Sequence, residues 1–302
     1  MKWIKRLLMA GALLVVLLAS SAFLIHRQFR SRPDWYPVQL LDEASRSAAT
    51  RSVEDKIIGM QNWALNTNAN ERNRKSGIRP DSPGYIPAPD PVKHISFSEA
   101  ELNAFFFQWG DAMHWKDRYS EFIEDPVLAL ADNRIILGAN VKELDTFVSV
   151  HFQPSIDSDG KLRLTLVKVM GGKLPLPRAF WNGYRHKLND AMVAKVAQSQ
   201  KRAAIADDGS MNHDAMVAEM NKLLLRALND EPAEPVLFLR HDNSHDNAMP
   251  VKLTHVAIAD KTIDLTVIPL SAEERTALLR QIREPLPNTA AAQPDQPSAK
   301  GG

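Results

Sequence analysis

Two imidazoles four residues apart, His241 and His245 in the run R-H-D-N-S-H-D, are the strongest metal-ligand candidates, with His255 further along. On a helix that spacing would put both rings on one face, where they could share a metal ion. Here Asp242, Asn243 and Ser244 lie between them, and the flanking segments read as strands, so the residues spell a turn and no metal is expected. Asp157, Asp159 and Gly160 resemble the start of a calcium loop, but the twelve-residue spacing and its closing glutamate are missing, and a plain turn is the expectation. Glu121, Glu124 and Asp125 read as a solvated acidic run ahead of a strand; His94, His114 and His151 have no partner spacing. The chain contains no G-x-S-x-G, no H-E-x-x-H, no phosphate-cradling glycine loop and no G-x-G-x-x-G. With no cysteine there is neither a disulfide framework nor a thiolate ligand or nucleophile. No catalytic residue and no cofactor are therefore expected. A non-enzymatic protein is the reading, with an envelope hydrolase as the minor alternative.

The side chains that remain are suited to binding apolar matter. Phe180, Tyr184, Leu188, Met192 and Val196 recur every four residues in a stretch, 178–204, that reads as a long helix opened by Pro177. At 3.6 residues per turn a four-residue step drifts about 40°, so the stripe winds around its helix. Such a stripe fits a sheet that curves around the helix better than a flat one. A second helix, ending near Asn229, carries Met216, Met220, Leu223, Leu224 and Ala227 on one side. Methionine adapts to irregular apolar surfaces, lipid chains included. The candidate ligand groove is thus lined by Phe180, Tyr184, Leu188, Met192, Met216 and Met220, with ordinary core packing as the plainer reading of the same residues.

Leu7 to Ile25 is an uncharged apolar run of nineteen residues, about 28 Å as a helix, against a hydrocarbon core of about 30 Å. Lys2, Lys5 and Arg6 precede it and Arg27, Arg30 and Arg32 follow, so flanking charge alone does not orient it. A short basic N-terminus ahead of a first apolar helix usually stays inside, which would place the bulk of the chain outside the cytoplasm in a single-pass arrangement. The rival reading is a cleaved signal peptide ending at Ser20-Ser21-Ala22; the run's continuation through Phe23, Leu24 and Ile25 favours an anchor. A balance of 37 basic and 36 acidic residues gives no basic face for nucleic acid.

Between these stretches the pattern is mixed. Leu41 to Asn66 is helical, with Ala49, Val53, Ile57, Met60 and Ala64 on one stripe. Residues 67–93 hold five prolines and no periodicity, as a linker or surface excursion would. Ser98 and Glu101 form a capping box for a helix whose Leu102, Phe105, Phe106 and Trp109 share a face, expected in the core. Val127–Ala131 and Ile135–Val141 flank the turn residues at 132–134. Phe147–Phe152, with Val148, Val150 and Phe152 alternating, and Leu162–Val169 flank the turn at 157–160. Val236–Arg240, Val251–Ala259 and Thr262–Ile268 read as three more strands, the last two joined at Asp260-Lys261. Ser271 and Glu274 then cap a final helix. The Pro/Ala/Gln-rich tail from 285 reads as disordered.

Three segments carry a resemblance: F-S-E-A-E-L-N-A (Phe97–Ala104), D-P-V-L-A-L-A-D-N-R-I-I-L (Asp125–Leu137) and L-V-K-V-M-G-G-K-L-P-L-P (Leu166–Pro177). Together they resemble the YpmS-like family of bacterial proteins, which have one N-terminal transmembrane helix and an extracytoplasmic domain. The likeness spans about a quarter of the chain. It implies no catalytic residue, and at the level of fold it is similar to the tubular lipid-binding (TULIP) superfamily. The expected architecture is α+β: an anchor at 1–32, an amphipathic helix at 33–66, a Pro-rich excursion at 67–93, and an α+β domain at 94–284. In that domain a curved antiparallel sheet packs around long amphipathic helices, and a disordered tail follows at 285–302. The expected partners are the membrane, through residues 7–25, and a lipid or other apolar envelope ligand, with a scaffold for another envelope protein as the alternative.

Overall fold

A computed structural model describes residues 23–36, 41–67, 76–85, 89–112, 120–177, 213–240, 248–259 and 261–271. It also describes isolated positions at 20, 73, 87, 179, 185–186, 189–190, 192–194, 196–198, 273–274 and 276–278. The fold is α+β, with its strands divided between two antiparallel sheets where one had been expected. In chain order the elements are α1 (Glu43–Asn66), β1 (Lys93–Ser98), α2 (Glu99–Ala112), β2 (Ile123–Ala131), β3 (Arg134–Val141), β4 (Thr146–Ile156), β5 (Leu162–Gly171) and β6 (Leu174–Pro175). They are followed by α3 (His213–Leu228), β7 (Val236–Arg240), β8 (Ala248–Ala259) and β9 (Thr262–Pro269). One sheet has the order β1-β9-β8-β7 and the other β2-β3-β4-β5-β6. Among the described residues no helix is long and apolar enough to cross a membrane, and most of the run Leu7–Ile25 lies outside them.

The helix α1 starts where Asp42 accepts a hydrogen bond from Ser45 N–H (2.7 Å), meeting one of the four amide donors that a helix start leaves unpaired. Its predicted stripe is its buried one: Val53, Met60 and Ala64, joined by Trp63, pack on Ile95, Phe97, Val251, Leu253 and Val267 of the four-stranded sheet. The indole N–H of Trp63 donates to the Asp90 carbonyl (2.7 Å), which ties the end of the Pro-rich stretch to the helix. That stretch passes straight into β1, an edge strand that pairs with β9 and whose Ile95 and Phe97 are buried. The six residues K-H-I-S-F-S alternate as a half-buried strand should, and sequence reasoning missed them in favour of the capping box that follows.

The five-stranded sheet follows the predicted hairpins closely. Asp132 and Asn133 both have positive φ (52° and 57°), which is the two-residue turn whose twist matches paired strands. At 157–161 the Asp157 carboxylate accepts from the amides of Asp159 (3.0 Å) and Lys161 (2.9 Å), with Gly160 at φ 71°, so this loop spends its aspartate on its own turn. The face that β4 buries differs from the expected one. Phe147, Ser149 and His151 are buried, while Val148, Val150 and Phe152 are only half-buried. The reason is what lies above them, described below.

Two further expectations are corrected. In α2, Leu102 and Phe105 pack toward the core, but Phe106 and its neighbour Phe107 stand 49% and 47% exposed, so the aromatic stripe is only partly core; the Trp109 side chain lies outside the described residues. In α3 the inward side carries Leu225 and Ala227, and Leu224 faces outward.

Candidate functional site

The first of two constructed sites is the segment F-S-E-A-E-L-N-A, in which each polar side chain has a structural task. The Ser98 amide donates to Glu101 Oε2 (2.7 Å) and the Glu101 amide to Ser98 Oγ (3.2 Å), which completes the predicted capping box. Glu101 Oε1 also accepts from Ser52 Oγ and Lys56 Nζ of α1, each at 2.6 Å. Burial pushes the Glu101 acid up, but the bonds from Lys56, Ser52 and Ser98 outweigh it and hold the carboxyl down at about 2. Asn103 acts as a stand-in strand residue: its amide donates to the Leu128 carbonyl (2.7 Å) and accepts from the Leu128 N–H (2.8 Å). Glu99 accepts from the Leu130 amide (2.8 Å). Thus α2 closes the open edge of β2, which would otherwise present unpaired main-chain groups. It does so while Leu128 and Leu130 pack on Ile258 of the other sheet. This segment is one joint between the two sheets, and Leu162 of β5, packed in the core with Val251, Leu253 and Val267, is another. Beside it, between α1 and β1, lies an open groove of about 800 Å³ bordered by Arg51, Asp55, Lys56, Lys93 and His94.

The second site is a strap. Residues 23–30 are helical, and the chain from Gln28 to Tyr36 lies on the five-stranded sheet at the end where β2 and β4 begin and β3 and β5 finish. Phe29 fills a notch made by two glycines. A Cβ added to Gly171 would lie 2.8 Å from Phe29 Cδ2 and nearer still to Cε2. Gly172, at φ 58°, brings its backbone so close that a Cβ there would meet the Phe29 carbonyl. The Lys173 amide donates to the Gln28 carbonyl (3.0 Å), and the Thr146 hydroxyl donates to the carbonyl of Phe29. Arg30 pairs with Asp145 (2.8 Å) and Asp34 with Lys173; both pairs are at the surface, so they fix register more than they add stability.

Further along the strap, Pro33 is buried, and Trp35 and Tyr36 meet Phe147 edge-on at centroid distances of 5.7 and 4.9 Å. Trp35 also stands edge-on to His151 (6.3 Å), and Gly138 leaves room for both Trp35 and Phe147. This lid is why β4 buries Ser149 and His151. Burial, with Lys168 and Arg134 nearby, pushes the His151 imidazole down to about 4, so the ring is neutral at ordinary pH. Ser149 Oγ lies 3.2 Å from its Nε2, and its Nδ1 is buried without a hydrogen-bond partner among the described residues.

The groove predicted from sequence lies largely outside the described residues. Phe180, Tyr184 and Leu188 are outside them, as are the side chains of Met216 and Met220. Met192 is half-buried in helical backbone at 192–194, and Val196, the last member of the drifting stripe, is fully buried. His241 and His245, in the connection between β7 and β8, also lie outside, and His255 is exposed on β8. Among the described residues no group of three His, Asp or Glu side chains is placed to hold a metal ion.

The strap was not read from sequence, although a signal existed: Trp35 and Tyr36 are adjacent aromatics shortly after an apolar run, and Gly171-Gly172 is the chain's one double glycine at a strand end. No family model, curated protein or solved structure matches this chain.

Proposed function

We propose that this protein is a single-pass, membrane-anchored, extracytoplasmic module that binds rather than catalyses. The supporting observation is the strap. A chain that leaves an apolar run and is at once fastened to the sheet by Phe29, Pro33, Trp35 and Tyr36 carries its domain at a set attitude to the anchor. Enzymes that act on diffusing substrates gain little from such fastening, whereas a module that receives or presents something at a surface does. Neither constructed site brings together a nucleophile, a base and an orienting group. The resemblance to the YpmS-like family points the same way.

The proposed ligand is a lipid or another apolar envelope molecule. It would be held by the apolar stripe read at Phe180, Tyr184, Leu188 and Met192, together with Met216 and Met220, and the full burial of Val196 fits a stripe turned toward protein. The alternative, a scaffold for another envelope protein, is favoured by the exposed Phe106 and Phe107 of α2. Native mass spectrometry of the full-length chain, released from its host's membranes in mild detergent, tests both. A co-purifying lipid at about one per chain supports the first reading; a lipid-free chain that carries a stoichiometric protein supports the second. Recovery of the chain in the soluble fraction, beginning at Phe23, would remove the anchor.

A further inference from the structure

We infer that the strap end of the five-stranded sheet rests in the headgroup layer of the bilayer, so that the sheet stands upright on the membrane instead of hanging on a loose stalk. The inference rests on the anchor proposed above and adds the surface that meets the lipid. Phe29 lies four helical steps beyond Ile25, the end of the apolar run, a rise of about 6 Å. The polar layer on each side of a hydrocarbon core is roughly 5–8 Å deep. Gln28 and Phe29 are hydrogen-bonded to Lys173 and Thr146, so the end of β5 and the start of β4 lie at the level of that layer.

The two ends of the sheet differ in the way this placement requires. At the strap end Phe122 is 63% exposed just ahead of β2, with its carbonyl held by the Lys142 amide (3.0 Å). Pro175 is exposed between half-buried Leu174 and Leu176, and Phe23, Leu24 and Ile25 are each more than half exposed. Arg27, Lys142 and Lys173 supply long cationic side chains that can lay their stems along apolar matter and keep their charge among headgroups. Glu121, Glu124, Asp125, Glu143 and Asp145 are interleaved with them, so the seat rests on apolar insertion and does not depend on anionic lipid. The opposite turns, 132–133 and 157–161, carry only Asp, Asn, Ser, Gly and Lys. The eleven residues of β4 put those turns roughly 35 Å away.

The absence of cysteine makes single-cysteine labelling clean. Full-length Glu143→Cys, Ser158→Cys and Leu24→Cys are labelled with a small fluorophore and reconstituted into phosphatidylcholine vesicles containing nitroxide lipids. The label at 24 reports the anchor, that at 143 the strap end and that at 158 the far end. We expect headgroup nitroxides to quench the label at 143 at least threefold more than that at 158, and chain nitroxides to quench the label at 24. Gly172→Val, placed in the Glu143→Cys and the Leu24→Cys backgrounds in turn, should bring quenching at 143 down to that of position 158 and leave quenching at 24 unchanged. Quenching at 24 with positions 143 and 158 alike overturns the upright seat and leaves the anchor standing. An unquenched label at 24 overturns the anchor, and the seat with it.

Discussion

Adding a single methyl group at Gly171 should dislodge the strap, and removing the Phe29 ring should make the same methyl harmless. Gly171 is buried, and an added Cβ falls 2.8 Å from Phe29 Cδ2, well inside contact distance. Forcing a carbon into a filled site costs about 1–3 kcal/mol, because the ring must move or the strand must shift. Phe29 is half-buried, so Phe29→Ala forfeits about half of the 3–5 kcal/mol typical of a fully buried ring, roughly 1.5–2.5 kcal/mol. In the Phe29→Ala background the notch is vacant. Gly171→Ala should then be neutral, or stabilise slightly by restricting the unfolded chain. The cycle should therefore show a coupling of about 1–3 kcal/mol, far outside the additivity expected of independent sites.

Urea unfolding of the full-length chain in mild detergent gives the four stabilities. Trypsin supplies a second reading, because Arg30 lies in the strap and Arg27 just ahead of it. At 1.4 kcal/mol per factor of ten, Gly171→Ala should speed cleavage there by roughly 5- to 150-fold through local opening, and Phe29→Ala should abolish any further effect of the methyl. Equal costs of Gly171→Ala in both backgrounds would show that Phe29 does not occupy the notch. The strap as described would then be wrong.

The remaining expectations concern titration and the joint. His151, held at about 4 against an ordinary 6.5, binds its proton more readily unfolded than folded between those values. Stability should be whole above pH 6.5 and fall by up to roughly 3 kcal/mol as the pH drops toward 4, and His151→Gln should flatten that slope in urea midpoints taken across the range. Glu101, held at about 2, stabilises fully above pH 4.5 and loses its contribution as the pH falls from 4.5 to 2; Glu101→Gln should remove that acid limb of the curve. Asn103→Ala strands the N–H and C=O of Leu128 and should cost about 2–4 kcal/mol, with amide exchange at Leu128 the first to accelerate. His241→Ala with His245→Ala should leave the melting temperature and the metal content of the purified chain unchanged.

Local devices were legible in the sequence because they depend on near neighbours. The capping boxes at Ser98–Glu101 and Ser271–Glu274 each span four residues, and both form with the predicted reciprocal bonds. The β2–β3 hairpin followed from the turn residues at 132–134 between the runs Val127–Ala131 and Ile135–Val141. The stripe of α1 followed from period alone, since a helix in contact with a sheet must turn one face to it. Even there the sequence was silent on assembly. Hydrophobic alternation says that β2 and β8 each bury a face, but not that they belong to different sheets, because the packing of one sheet on the other is decided between residues over a hundred positions apart, as where Leu128 and Leu130 meet Ile258.

The strap and the buried His151 escaped for one shared reason. A histidine and a serine at alternate positions of a strand look like its solvent face, and Val148, Val150 and Phe152 look like its core face. That inference holds only if nothing else covers the polar face. Here Trp35 and Tyr36, more than a hundred residues upstream, cover it, and the face that reads as polar becomes the more buried. The cost of burying an imidazole is visible in its depressed pKa, and it is tolerated because the aromatic pair buries Phe147 at the same time. Gly138 and Gly171 read as weak points in their strands until that cover is in place, after which each is a site where a side chain would exclude an aromatic ring. Glycine on a strand, a buried histidine and an unassigned aromatic pair were thus three signs of one contact. Each on its own had an ordinary explanation, and only the fold brings them together.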